Sequence, residues 1–521
     1  AKKFGFIGHD QFGKLIESAK GNDRKKTGSY YTPDSLVQEL IKSALEPVIK
    51  RRLGANKSNP ADALLNIRVI DPACGSGHFL LAAARRLAQE LAQLRTEDGA
   101  VKPADYRHAL RDVVAKCIFG VDRNPMALEL ARMALWLEGF EEGQPLSFLD
   151  HHLQCGDALL GLTDLNALEY GISKAAFKAL SGDEKPVCTA LGKANTAALK
   201  QLEKNRKSPQ FKLPLEQASQ LAELQAIEAM PQRTTKQIAK QEAAYLAFLD
   251  MAKHSPLRHA ADMLLGAFLM AKTEDTEAQI PTTANLYLEL INNQHNEQHL
   301  AVRNNAMRAC ADASVFHWPL AYPQVFAQGG FDCVLGNPPW ERIKLQEEEF
   351  FATRSTFVKD ARNKAERAQR IQWLSEGMLA KHLHPEIPHP EHECMAEVRL
   401  YNEFVTAKRT AEAASAFMHV NGDEGGRYAL TGVGDVNTYA LFSETILQIT
   451  ATSGRSGFIV PTGIATDDST KAFFGHISQN GRLVSLYDIE NREKIFEAVD
   501  SRMKFCLLTI GQAEEAEFAF F

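Results

Sequence analysis

The chain has 521 residues, 45% of them hydrophobic, 24% charged and 8% aromatic. That is too long for one ordinary domain and too apolar for wholesale disorder, a collagen-like repeat or a small disulfide-stapled scaffold. Lysine and arginine number 59 against 65 acids, a net charge of −6, so a basic surface over the whole chain is excluded and only a local basic groove remains open to nucleic acid.

From the start, Asp10 to Lys20 reads as helical. A basic, glycine-punctuated loop follows, and its lysines from Lys20 to Lys26 are candidates for phosphate contact. Pro33 and Asp34 open a helix over Ser35 to Lys50, with Leu36, Val37, Leu40, Ile41 and Leu45 near helical spacing. Strand and helix then alternate. Arg68 to Ile70 is a short apolar strand, Asp71 to Gly77 a glycine-containing loop, and Phe79 to Leu94 a helix. Cys117 to Val121 is a second strand with Asp122 at its end, and Pro125 starts a helix to Leu137. Leu153 to Cys155 is a third strand, closed by Gly156 and Asp157. This alternation implies a parallel sheet wound right-handedly.

A long helical, polar stretch interrupts the sheet. Strand character returns at Phe331 to Leu335, followed by Asn337-Pro338-Pro339-Trp340. After a second helical stretch, strands resume at Ser456 to Val460, Leu483 to Tyr487 and Phe505 to Ile510. Phe518 to Phe521 reads as a strand cut short, which suggests that the chain is part of something longer. No run of about 18 apolar residues appears, so no membrane span is expected. The opening residues lack a secretory signal, and the eight cysteines are scattered with no C-x-x-C pair, which together suggest a cytoplasmic protein.

Four sites carry candidate chemistry. In Asp71-Pro72-Ala73-Cys74-Gly75-Ser76-Gly77-His78-Phe79 the glycines let backbone turn sharply against a ligand. A dinucleotide site wants G-x-G-x-x-G and phosphates at the helix N-terminus, whereas Asp71 repels phosphate and suits a cation such as the sulfonium or ammonium of S-adenosylmethionine. A plain tight turn is the alternative. Asp122 can accept from both ribose hydroxyls and Asp157 from an adenine amino group. Each acid alone is more often a helix N-cap, but three at the ends of adjacent strands favour a nucleoside site. At Asn337 to Trp340, two prolines remove two backbone donors and leave carbonyls as acceptors. With the Asn337 amide oxygen and the flat face of Trp340, they suit a planar ligand bearing an NH₂ group. A rigid turn with a packed tryptophan is the alternative.

In order, Tyr30-Tyr31-Thr32-Pro33, Asp71 to Phe79, Asp122, Cys155-Gly156-Asp157 and Asn337 to Trp340 resemble the gamma-class adenine-N6 DNA methyltransferases. The resemblance continues through Asp435-Val436-Asn437-Thr438-Tyr439, Gly457 to Pro461 and Lys494-Ile495-Phe496. Large methylases of bifunctional restriction-modification enzymes and of BREX and DISARM phage-defence systems are similar. The resemblance implies an α/β, Rossmann-like class I methyltransferase sheet with two helical insertions.

It also implies roles. Thr32 and Asp71 hold the methionine part of S-adenosylmethionine, Asp122 the ribose, and Asp157 the adenine, with Ala158 beside it. Tyr31, Ala73, Cys74, Gly75, Gly77, Phe79, Arg123 and Asn337 complete the cofactor site. Asn337, Pro338, Pro339 and Trp340 form the catalytic segment. Asn337 and the Pro338 carbonyl grip the target amine, while Trp340 and Phe496 stack on the flipped base. Double-stranded DNA is the implied partner, together with other restriction or defence proteins.

The boundaries are 1–60 for an N-terminal helical segment with the first cofactor motif and 61–165 for the cofactor-binding half of the Rossmann-like domain. A helical insertion follows at 166–320, then the catalytic segment at 321–345. A second insertion spans 346–430 and the remaining sheet 431–521, with a target-recognition domain expected beyond. No metal site is expected: His382, His384, His389, His392 and Cys394 read as a solvated loop, and the His151-His152 pair is a weaker candidate still. A methyltransferase acting on RNA or on a protein glutamine, or a silent DNA-recognition subunit, are the competing readings.

Overall fold

The computed structural model describes residues 7–9, 15–17, 32–96, 100–208, 212–292, 295–386, 394–497 and 499–521. Tyr31, the lysines from Lys20 to Lys26, His389 and His392 lie outside them. Strands β1 (Ile7–His9) and β2 (Leu15–Glu17) form an antiparallel pair. The helix expected from Asp10 to Lys20 therefore gives way, at least over Leu15–Glu17, to strand.

Eight strands make the main sheet: β3 (Val69–Asp71), β4 (Ile118–Asp122), β5 (Leu153–Cys155), β6 (Phe331–Gly336), β7 (Thr450–Pro461), β8 (Leu483–Glu490), β9 (Lys504–Ile510) and β10 (Glu517–Phe520). Their order is β10-β8-β9-β7-β6-β3-β4-β5. Every neighbouring pair is parallel except those of β9, which runs antiparallel to both β7 and β8. The chain builds outward from β3 to β5 and then returns to lay β6 on the other side of β3. The order therefore reverses between β3 and β6, where open α/β sheets hold their ligands beyond the carboxyl ends of the strands. This is a Rossmann-like sheet with one reversed strand.

Period-two alternation sends the apolar residues into two cores. Val69, Ile118, Cys333, Leu335, Ile459 and Leu507 face one side, while Ile70, Phe119, Val334, Phe458, Val460 and Leu508 face the other. All six residues of β6 are buried, as expected for a central parallel strand covered on both faces. The first side is covered by the helices His78–Arg95 and Pro103–Cys117 and by a long N-terminal helix. That helix runs as Asp34–Leu40, a π-helical turn Ile41–Leu45 and Glu46–Ala55. The second side is covered by Pro256–Leu269, Thr438–Ile449 and other helices from the long intervening segments. A smaller core around Phe350, Phe351, Val358, Leu374 and Phe404 stands apart from the sheet. No helix among the described residues is long and apolar enough to cross a membrane.

Candidate active site

The carboxyl ends of β3, β4, β5 and β6 bring the sequence-selected residues together. Asp71 ends β3 and is 2% exposed; its Oδ1 accepts from the backbone N–H of Ala73 at 3.0 Å. Burial pushes its carboxyl up to about 8, and the neighbouring charge of Asp122 adds to the rise while the Ala73 N–H opposes it. Gly75 (φ +53°) and Gly77 (φ +86°) hold the left-handed turns that carry the chain from Asp71 into the helix His78–Arg95. Cys74 and Phe79 are buried in the core beneath this loop, and Ala73 packs against the opposite core. They shape the loop from below.

Asp122, at the end of β4, turns both oxygens to backbone. Oδ2 accepts from Gly75 N–H and Oδ1 from Asn124 N–H, each at 2.8 Å. Its pKa is raised by burial against the pull of those two amides. The acid thus ties the β3 loop to the β4 end.

Asp157 follows β5. Its Oδ1 accepts from Leu159 N–H at 3.0 Å, and Oδ2 lies 3.6 Å from the exposed guanidinium of Arg123. Ala158 is buried, and its carbonyl accepts from Trp318 Nε1 at 3.0 Å and from Arg427 at 2.8 Å. Arg427, itself buried, also bonds the Gly161 carbonyl at 2.9 Å, and Tyr428 donates its hydroxyl to Leu159 at 2.6 Å. Arg427 and Tyr428 escaped the sequence reading because an isolated Arg-Tyr pair carries no motif. Only the fold shows them fastening this loop.

At the end of β6, Asn337 donates Nδ2–H to the Thr32 hydroxyl at 3.2 Å. Its Oδ1 is buried and has no donor. Thr438 Oγ1 donates to the Pro339 carbonyl at 2.6 Å, while no donor among the described residues reaches the Pro338 carbonyl. The two prolines therefore divide the work: one carbonyl fastens the loop, and the other meets no donor among the described residues. Thr438 also accepts from Glu341 N–H at 2.8 Å, so it braces the segment from the sequence-singled Asp435 to Tyr439 stretch. Gly336 sits directly against Asp71, where an added Cβ would come within 2.7 Å of Oδ1.

Trp340 is half-buried, with Nε1 donating to the Ile459 carbonyl at 3.3 Å. Its ring meets Phe496 edge-on at 5.5 Å, and Phe496 meets Phe505 at 4.9 Å. The structure places Phe496 beside Trp340 but only 3% exposed, packed in the core against Phe505 and not open to a base. Arg342 and Lys344 pair with Asp435 at 3.6 and 2.8 Å, which offsets part of their positive charge. Of the histidine run, His382 stacks on Trp373 at 4.5 Å and His384 Nδ1 bonds Glu386 at 3.1 Å.

Residues 9–154 match the family model described as N-6 DNA Methylase, and residues 116–371 that of the Eco57I restriction-modification methylase. A type II restriction enzyme and methyltransferase of Methanocaldococcus jannaschii is 24% identical over 390 residues, 66% of this chain and 30% of its own. The adenine-specific methyltransferase PglX of Streptomyces coelicolor is 28% identical over 163 residues, 30% of this chain and 12% of its own. The chain thus spans less than a third of the curated relatives it matches. A nuclease-deletion mutant of the Type ISP restriction-modification enzyme LlaGI, solved with a DNA substrate mimic, aligns over 96% of this chain and 26% of its own. That alignment has a TM-score of 0.36 and 9% identity.

Proposed function

We propose that this chain is an N-6 adenine DNA methylase and transfers a methyl group from S-adenosylmethionine to the exocyclic nitrogen of an adenine flipped out of duplex DNA. The observation that carries this reading is the pair of open acceptors after β6, the buried Asn337 Oδ1 and the Pro338 carbonyl. A buried amide oxygen without a donor is costly, about 1–3 kcal/mol, and a ligand with two N–H groups relieves it. Accepting both hydrogens of an adenine amine localises its lone pair on nitrogen, so positioning and electrostatics do the catalytic work. Thr32 fixes the Asn337 amide with its oxygen turned to the target.

The crevice fits the cofactor. A buried carboxyl at the head of a glycine loop disfavours phosphate and suits an ammonium, and Gly336 leaves the space beside it free of a side chain. Asp122 and Asp157 stand on the next two strands, in reach of a ribose and an adenine. S-adenosylmethionine supplies an electrophilic methyl on a sulfonium. Unstacking the target base costs a few kcal/mol, and stacking on Trp340 returns about 1–3 kcal/mol. Turning Trp340 toward a base gives up the 3.3 Å bond to Ile459 and its ring contacts with Phe496 and Phe505.

The names of a restriction enzyme and methyltransferase and of an adenine-specific methyltransferase among the relatives support a setting in restriction-modification or phage defence, with duplex DNA as partner and the cytoplasm as the proposed compartment. Transfer of a radiolabelled methyl group to unmethylated DNA, RNA and protein, followed by digestion of the product to nucleosides, tests the reading. Label in N6-methyladenine of DNA is expected. Label confined to RNA or protein, or no label on any of the three, refutes it.

A further inference from the structure

Two histidine–carboxylate clusters lie outside the crevice. In one, the buried Glu289 accepts from His259 Nδ1 at 2.7 Å and from His299 Nε2 at 2.6 Å, with Arg303 at 3.6 Å and His295 at 3.5 Å. Hydrogen bonds and an arginine close both of its oxygens, so its carboxylate is already engaged, although the Nδ1 atoms of His295 and His299 are buried without partners and Glu289, His295 and His299 also have metal-ligand spacing.

The other is built differently. His151 and His152 form the turn before β5, and Glu228 is the last residue of the helix Ala218–Glu228. One ligand atom of each lies within 4.8 Å of the others. Both histidines are 2% exposed, and the Nδ1 of each is buried with no partner. His152 Nε2 stands 3.9 Å from Glu228 Oε1. That is too long for a hydrogen bond, and about 0.6 Å wider than the roughly 3.3 Å between two ligands on one tetrahedral ion with bonds of about 2.0–2.1 Å, a gap that a small rotation of the Glu228 carboxylate would close.

Gln324 Nε2 donates to Glu228 Oε1 at 2.9 Å, the kind of outer contact that aims a ligating carboxylate. The surroundings are apolar: Phe119 lies 3.9 Å from the His152 ring, Phe148 5.4 Å from that of His151, and Tyr245 6.0 Å. Arg68, over the Phe119 ring at 6.0 Å, is the cation that faces the pair.

We propose that His151, His152 and Glu228 bind a divalent transition-metal ion of the zinc type. Two neutral imidazoles and one carboxylate suit that ion and leave a position for water. The site lies at the amino end of β5, the end away from Asp157, and joins the sheet to the helix Ala218–Glu228. Its role is therefore to fasten the helical segment and not to take part in the transfer.

The test strips the full chain with a chelator and titrates it with Zn²⁺ by calorimetry, with thermal melts alongside. One equivalent and a raised Tm are expected for the wild type. Binding should weaken about tenfold or more in Glu228→Gln and in His152→Gln. Glu228 keeps 19% of its side chain exposed, so its variant stays informative if the buried histidine variant fails to fold. Co²⁺ in place of Zn²⁺ should give a d–d absorption band that Glu228→Gln loses and His299→Ala retains. No saturable uptake by the wild type, equal affinity in Glu228→Gln, or loss in His299→Ala alone would each overturn the proposal.

Discussion

Asp71 should couple cofactor binding to pH. Its carboxyl is buried at 2% exposure and lifted from 3.8 to about 8, first by desolvation and then by the charge of Asp122. Between those two values the unfolded chain carries a carboxylate while the folded one keeps the proton. The empty protein therefore loses stability as pH rises through that window, by about 1.4 kcal/mol per unit. A bound ammonium reverses the preference, because an opposite charge in contact favours the carboxylate. Binding must then expel a proton at pH values below about 8, down to the lower pKa that the carboxyl takes beside the bound ammonium. The expected dissociation constant for S-adenosylhomocysteine falls between pH 6 and 7.5 by up to about tenfold per unit. Calorimetry in buffers of different ionisation enthalpy should count close to one proton released. Asp71→Asn should bind more weakly and release none. A dissociation constant that is flat over this range in the wild type, with no buffer-dependent heat, would refute the assignment of Asp71 as the partner of the positive charge.

Asn337→Ala should abolish methyl transfer in a single-turnover assay while changing cofactor affinity only a few-fold, because the amide oxygen faces the target; full activity in that variant would contradict the mechanism. Gly336→Ala should weaken cofactor binding without a matching loss of Tm, since its Cβ would press on Asp71 at 2.7 Å; unchanged affinity would show that the crevice relaxes there. Trp340→Ala should impair turnover less on a mismatched adenine than on a paired one, where the flipping cost is larger; equal defects would argue against stacking. DNA binding by the chain should be weak, steeply salt-dependent and indifferent to sequence, and Asp435→Asn should tighten it by releasing Arg342 and Lys344, whereas tight, sequence-selective binding would place a base-reading element within these residues.

The strands were the legible part of this sequence. Apolar runs such as Phe331 to Gly336, bounded by glycine and by Asn-Pro-Pro, can only be central strands, because each residue must be covered on one face or the other. The run from Phe518, expected to be a strand, pairs in parallel with β8. What did not show was local structure decided by distant partners. Leu15 to Glu17 has an ordinary helical composition and becomes strand only through pairing with Ile7–His9. The π-helical turn at Ile41–Leu45 leaves no mark in the apolar spacing. Pairing across the chain is not written in periodicity, so these features required the coordinates.

The site divides the same way. Acids at strand ends and a glycine loop can be placed from sequence because they sit where a strand meets a helix. Which acceptors stay open cannot, because that depends on which donors the fold delivers. Pro338 and Pro339 look equivalent in sequence, yet Thr438, ninety-nine positions beyond Pro339, occupies one carbonyl and leaves the other. Likewise the loop after Asp157 is fixed by Trp318, Arg427 and Tyr428, none of them on a strand of the sheet. The long intervening segments therefore do more than enlarge the protein. They supply the donors that hold the β5 loop and the Asn337 segment still, and stillness is what an uncharged amine needs if two fixed acceptors are to make it a nucleophile.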